Sequence, residues 1–225
     1  MQCVVEAAAE NPATSDPWSS AAWNSAKIIP IENFHPRSSD HRPITHCKVL
    51  HHLDELHVAF RVQDRYVRCL RSNYQDMVSK DSCVEFFLEP RAGRGYFNFE
   101  INCGGAMLLY FIEDPTPALP AFFRKFTPVP FAVAAQIKIN TSLPSRVEPE
   151  ITDPVTWTVQ CAVPISVFSH FLGEIGPLAG QEWRGNFFKC GDETSHPHWA
   201  SWACIGERLR FHQPEYFKPI FFAAP

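Results

Sequence analysis

Apolar and polar residues alternate with a period of two along much of the chain, most clearly near its middle. In the segment Lys80–Pro90, Val84, Phe86 and Leu88 share one parity, while Glu85, Phe87 and Glu89 share the other. After the turn 90–95, the segment Gly95–Gly105 sets Phe97, Phe99, Ile101 and Cys103 against Asn98, Glu100 and Asn102. Alternation of this length predicts two half-buried antiparallel strands. The apolar parities must share a face, which restricts the register, and the shortest closing turn sets Val84 beside Ile101 and Glu85 beside Glu100. Two carboxylates directly opposite on an open sheet face repel each other. The pattern therefore calls for an offset: a cation such as Lys189 or Arg61, a shared proton, or a ligand.

The same reading extends along the chain. Residues 1–22 are rich in Ala, Ser, Pro and Asn, and 1–17 are expected to be a loose lead-in. Trp23–Ile31 is expected to be an edge strand interrupted by Pro30. Ile44–His51 and Leu56–Asp64 flank Leu53-Asp54-Glu55 and predict a hairpin. Residues 65–80 break the alternation and predict a loop. A strand over Ala106–Ile112 follows, then a loop over 113–128, which carries Pro115, Pro117, Pro120 and Pro128. Val129–Ile139 alternates again and predicts a strand, with Val129, Phe131, Val133, Ala135, Ile137 and Ile139 on one side. Residues 140–155 are polar and predict a loop. Thr156–Val163 predicts a strand. Pro164 then opens a short helix over Ile165–Phe171, and Gly173 closes it. Gln181–Cys190 and His198–Ile205 predict strands around the polar segment Gly191–Pro197, and Tyr216–Phe222 predicts the last strand. No internal repeat and no linker between two cores is visible. About ten strands and one short helix define an all-β class, an antiparallel β-sandwich of immunoglobulin-like or jelly-roll-like type with long loops, as a single domain over 18–225.

Composition narrows the function classes. With 45% hydrophobic and 20% charged residues in 225, the chain has the makeup of a folded domain. Its 20 basic residues stand against 24 acidic ones, a formal charge of −4, with no basic cluster, which argues against nucleic acid as a partner. No apolar run reaches the length of about 18 residues that a membrane span needs. The segment Met1–Glu6 lacks the basic start and long apolar core of a signal peptide. As written, the chain reads as cytoplasmic, or extracellular if it is a processed fragment. Eight cysteines without a CxxC pair argue against a zinc ribbon, and they read as small apolar fillers in a reducing compartment.

The order of motifs resembles carbohydrate-binding family 9 and the DOMON-like β-sandwiches. The matching pieces are Leu56–Asp64, Lys80–Phe87 with its Asp-Ser-x-x-Glu-Phe-Phe, Phe97–Asn102, Trp157–Pro164, Gly185-Asn186-Phe187, Ser201-Trp202 and Phe211–Phe217. Together they run from about residue 18 to residue 222. The resemblance implies sugar binding without catalysis, in modules that often accompany glycoside hydrolases such as xylanases. It also implies a terminal sugar clamped between two aromatic rings, its hydroxyls held from the outward face of the central strands. By position, Glu85 and Asn102 match hydroxyl-binding residues, Glu100 stands where the family can have Arg, and Phe211 stands at one clamp position. The other clamp position falls near Val78, so Tyr74 or Trp199 would have to supply the second ring. The expected site is thus Glu85, Glu100, Asn102, Phe211 and Trp199, for a mono- or oligosaccharide, with no cofactor and calcium conceivable in the Asp/Asn loops.

Other readings remain open. A haem-binding, electron-transfer DOMON domain would need Met77 or Met107 and one of ten histidines as axial ligands. A glycosidase would use Glu85 and Glu100 as its carboxylate pair. His196-Pro197-His198, near Asp192 and Glu193, has donors suited to a metal.

Overall fold

A computed structural model describes residues 1–119 and 122–224 of the chain. Strand β1 (Cys3–Ala7) is followed by a 3-10 turn at Ala21–Trp23 and by β2 (Ile29–Ile31) and β3 (Asn33–Phe34). The hairpin β4 (Ile44–His52) and β5 (Glu55–Asp64) comes next, then β6 (Val67–Cys69) and a 3-10 turn at Val78–Lys80. Strands β7 (Cys83–Glu89), β8 (Tyr96–Asn102) and β9 (Met107–Asp114) form a meander that β10 (Lys125–Pro128) extends. Helix α1 (Phe131–Ala134), β11 (Lys138–Thr141) and β12 (Val147–Ile151) lead to β13 (Val155–Pro164) and helix α2 (Ile165–Leu172). The chain continues through β14 (Glu182–Cys190), β15 (Trp199–Ser201), a 3-10 turn at Pro214–Tyr216 and β16 (Lys218–Phe222).

Hydrogen-bonded neighbours run in the order β10-β9-β8-β7-β14-β16-β1-β4-β5-β13-β11. The path curls so that its two halves face each other. Strand β1 joins them: Cys3, Val4 and Val5 pair in parallel with β16, and Glu6 and Ala7 with β4. From one half, Val84, Phe86, Leu88, Phe97, Phe99 and Ile101 point inward; from the other, Val58, Phe60, Val62, Trp157 and Val159 do. The Phe60 and Phe86 rings approach to 6.3 Å across this interface. Burying each such ring contributes about 1.5–3 kcal/mol. Phe168 of α2 packs on Phe97 and Trp183 at 5.1 and 5.0 Å and closes one end of the core. The all-β sandwich expected from the alternation is present, with Val84 opposite Ile101 and Glu85 opposite Glu100 as the turn length required.

Several local expectations are corrected. The start of the 1–17 segment is not a loose lead-in: β1 lies in the middle of the sheet order, and Val5 is fully buried. Its two inward residues, Cys3 and Val5, make an alternation too brief to stand out. Of Val129–Ile139, only Lys138 and Ile139 are strand, at the start of β11. The segment's buried residues are Val129, Val133, Ala134 and Ile137, a helical spacing, and Pro130 precedes the short helix α1. Phe131, expected on one side with Val129 and Val133, is 68% exposed while those two are buried. Of Trp23–Ile31, only Ile29–Ile31 is strand. The segments read as loops also hold pairing residues. Lys125–Pro128 pairs with β9, while β6 and β12 form a separate two-stranded ladder. Pro120, part of the 113–128 loop reading, lies outside the described residues.

Candidate functional site

The site is built on the outer face of β8, β7 and β14, the parity opposite to the core. Strand pairing sets its side chains in rows: Asn102, Cys83 and Cys190; Glu100, Glu85 and Phe188; Asn98, Phe87 and Asn186. The expected face was open and shallow; the observed one is covered. Glu85 is 2% exposed, Glu100 6% and Asn98 0%. The cover comes from two segments distant in sequence. Phe123 comes from the loop before β10, and Phe211, His212 and Phe217 come from the stretch before β16. Beneath this cover lies a pocket of about 330 Å³. Its floor carries Glu85, Glu100 and Asn98, and its walls include Trp199, Phe211, Tyr110, Phe123, Asp192 and Arg210.

Burial dominates the electrostatics. The Cys190 thiol donates to Glu85 Oε1 at 3.0 Å. Burial, and after it the negative charge of neighbouring groups including the Glu100 carboxyl, holds Glu85 well above the ordinary carboxylate range. Burial also pushes Glu100 up to about 7, against the Asn98 amide, which donates to its Oε1 at 2.7 Å. The opposed pair is therefore eased by retained protons. The only ion-pair partner of either glutamate among the described residues is His212, whose Nε2 lies 3.8 Å from Glu100 Oε1. Burial, aided by Arg210, pushes that imidazole down to about 3, so it is neutral near pH 7. Its Nδ1 lies 2.9 Å from the Tyr96 hydroxyl. Burial raises Asp192 as well, and Trp199 Nε1 donates to its Oδ1 at 2.7 Å. Arg210 Nη2 is buried without a hydrogen-bond partner among the described residues, which leaves a donor for a ligand.

Four of the five expected site residues meet here: Glu85, Glu100, Phe211 and Trp199 all line the pocket. Phe211 stacks on Phe188 at 4.2 Å, a ring directly across from Glu85 in the ladder. Asn102 is not among the lining residues. Its amide donates to Asp81 Oδ2 and to the Arg71 carbonyl, and its oxygen accepts from the Gly104 and Ala106 amides. That network holds the turn after β8. Val78 is fully buried and supplies no ring. Tyr74 bonds the Val129 carbonyl and packs against the main core instead, so Trp199 is the second aromatic wall.

Neither expected cation balances the glutamates. Lys189 lies beside Phe188 and therefore faces the core, where its Nζ sits 3.5 Å from Asp64 and donates to His198 Nε2 at 2.7 Å. Arg61 is on β5, in the other half of the sandwich. The His-Pro-His segment is otherwise engaged. His198 contacts Lys189 and the His196 carbonyl, while His196 stacks on Tyr66 at 3.6 Å. Met107 is buried in the main core, and Met77 is at the pocket edge. Sequence reasoning did not single out Asn98, Tyr110, Phe123, Arg210 and His212 for the site. Asn98 shares the parity of Glu100, and Tyr110 is its partner on β9, so both were within reach of the alternation. The other three come from loops with no periodic signal.

Among the described residues no helix is long and apolar enough to cross a membrane. No curated protein matches the chain at a significant level. A solved structure from Bacteroides uniformis, provisionally described as a carbohydrate-binding protein, superposes with a TM-score of 0.84 at 27% identity over 98% of both chains. Two structures of a family 9 carbohydrate-binding module from Caldicellulosiruptor kristjanssonii share the fold at lower identity. The one in complex with cellotriose has a TM-score of 0.67 at 12% identity, covering 100% of this chain and 95% of that one. The one in complex with glucose has a TM-score of 0.62 at 13% identity, covering 100% and 97%. The family model for carbohydrate-binding family 9 matches residues 19–222, nearly the whole sandwich and every pocket residue named above, and the chain belongs to that family.

Proposed function

We propose that the chain binds a mono- or oligosaccharide end, without cleaving it, in the pocket over β7, β8 and β14. The observation that carries this is the pairing of a carboxyl-and-amide floor with aromatic walls in about 330 Å³. That volume lies near the low end of the roughly 300–1,000 Å³ typical of small-molecule sites and suits one or two sugar rings. Sugar rings present apolar C–H faces, which Trp199 and Phe211 would cover, and a rim of hydroxyls. Glu85, Glu100, Asn98 and Asp192 offer acceptors to that rim, and Arg210 offers a donor. The bound glucose and cellotriose of the family 9 relatives name the first ligands to try.

The carboxylate pair argues against hydrolysis. A glycosidase needs one ionised carboxylate and one acid, placed on opposite sides of the scissile bond. Glu85 and Glu100 stand on neighbouring strands of one floor, and both are shifted toward the protonated form. Calorimetric titration with glucose, cellotriose and a panel of other mono- and oligosaccharides tests the proposal. One ligand class should bind, and Phe211→Ala and Trp199→Ala should each weaken it about tenfold or more, since a stacked ring contributes on the order of 1.5 kcal/mol. Absence of heat with every sugar, or unchanged affinity in the double variant, would overturn it.

A further inference from the structure

We propose that Cys83, Glu85 and Cys190 hold a thiophilic divalent cation, zinc in the first instance, at the floor of the pocket. Cys83 and Cys190 are direct partners across the β7–β14 ladder, and Glu85 follows Cys83 by two residues, so all three side chains leave the sheet on the same face. Their donor atoms lie within 4.8 Å of one another. A tetrahedral zinc site, with Zn–S of about 2.3 Å and Zn–O of about 2.0–2.2 Å, needs donors about 3.5–3.8 Å apart. The Cys190 Sγ to Glu85 Oε1 distance of 3.0 Å is below that span and the outer limit of 4.8 Å is above it.

The donor set is selective. Two thiolates favour zinc or cadmium over calcium, which takes oxygen ligands. Glu85 and Cys190 line the pocket, while Cys83 does not. Three protein ligands would thus fill one side of the tetrahedron and leave its fourth vertex toward the cavity, open to water or a ligand oxygen. In the metal-free state burial keeps both thiols protonated, pushing Cys83 up to about 12 and Cys190 well above the ordinary thiol range. Binding therefore replaces two S–H protons and the carboxyl proton of Glu85, and these three protons leave to solvent through the pocket. The resulting Zn(S)2(O) group carries one net negative charge, and Lys189, on the far side of the sheet, favours the Cys83 thiolate. Affinity should accordingly rise with pH.

The test uses the full chain, reduced with a phosphine, stripped with a chelator and titrated with Cd2+ or, separately, with Zn2+. One Cd2+ per chain should bind with an ultraviolet thiolate-to-metal charge-transfer band, and Zn2+ added to a separate metal-free sample should bind with the same stoichiometry and raise the Tm. Cys83→Ser and Cys190→Ser should each weaken binding at least a hundredfold and remove most of the band, whereas Cys161→Ser, in the main core, should leave both unchanged. Because the serine variants place a hydroxyl in a buried site and risk misfolding, Glu85→Gln provides a near-isosteric check. It should keep the band but weaken binding at least tenfold. No band in the wild type at one equivalent of Cd2+, an undiminished band in either serine variant, or full affinity in Glu85→Gln would overturn the assignment. Sugar is absent from these measurements, so the metal site and the carbohydrate reading succeed or fail separately.

Discussion

Replacing Glu100 with Gln separates the cost of its buried charge from everything else in the pocket. The ordinary glutamate value is 4.5, and burial raises Glu100 to about 7 in the folded chain. Between those values the folded state holds a proton that the unfolded state has released. Stability therefore falls as pH rises through this window and levels off above it. At ~1.4 kcal/mol per pH unit, the loss is on the order of 3 kcal/mol by pH 8. The Glu100→Gln variant keeps an oxygen for the Asn98 amide but has no proton to lose, so that slope disappears. Glu85 is raised in part by the Glu100 charge, so its own penalty should ease in the variant as well. Urea unfolding of both proteins at about pH 5 and about pH 8 measures the difference. The two should be nearly equal in stability at the lower pH, and the variant should be more stable by on the order of 3 kcal/mol at the higher. Parallel pH profiles would show that Glu100 ionises without penalty and would refute the description of a dry pocket floor.

Three further outcomes follow from the same geometry. A sugar hydroxyl that donates to ionised Glu100 favours the charged form, so affinity should rise as pH increases through about 7, with proton release seen by calorimetry in buffers of different ionisation enthalpy; a flat profile would place the hydroxyls elsewhere. Asn102→Ala removes one of the hydrogen bonds to the buried Asp81 carboxylate and leaves the Gly104 and Ala106 amides without their side-chain acceptor. It should cost about 2–4 kcal/mol in denaturant unfolding while the folded fraction binds sugar with unchanged affinity. Lys189→Met removes the cation 3.5 Å from the buried Asp64 carboxylate, leaving it only the His41, Trp157 and Arg65 hydrogen bonds, and should destabilise by about 3–5 kcal/mol, with a large part recovered when Asp64→Asn is added; additive effects in this double-mutant cycle would deny the ion pair.

The ladder was legible because its information is local. Val84 opposite Ile101 and Glu85 opposite Glu100 follow from parity and turn length, and both pairings are observed. Burial of the outer face was not legible, because the residues that cover it arrive from far along the chain. Phe123 and His212 lie in Pro-rich or irregular stretches that alternate with nothing, and no rule of spacing brings them over β8. The N-terminal strand was missed for a related reason. Parallel pairing of β1 with β16 and β4 requires no hairpin turn, so it leaves no turn residues beside it. The segment 129–139 was misread because valine, alanine and isoleucine fit a period of two and a helical period equally well over so short a span. Pro130, ahead of the first helical residue, was the sign that favoured the helix.

Lys189 shows how far parity reaches when it is applied throughout. Cys190 and Phe188 lie on the outer face with Glu85, so Lys189 between them must face the core, although charge alone suggested the reverse. The acidic groups on the two faces of the sheet are thus treated in opposite ways. On the core side, burial works to raise the Asp64 pKa, yet the Lys189 cation and the His41 and Trp157 hydrogen bonds hold it well below the carboxylate range. On the outer side, Glu85 and Glu100 are as deeply buried but have no charged cation beside them among the described residues, so they move upward. The inner charge is fully answered by protein, which is the mark of a group that serves the fold. The outer carboxyls have a proton, a thiol, an amide and a neutral imidazole beside them and face a cavity. An arrangement that costs stability at neutral pH, and that a ligand hydroxyl or a metal ion would relieve, is where binding chemistry is to be sought.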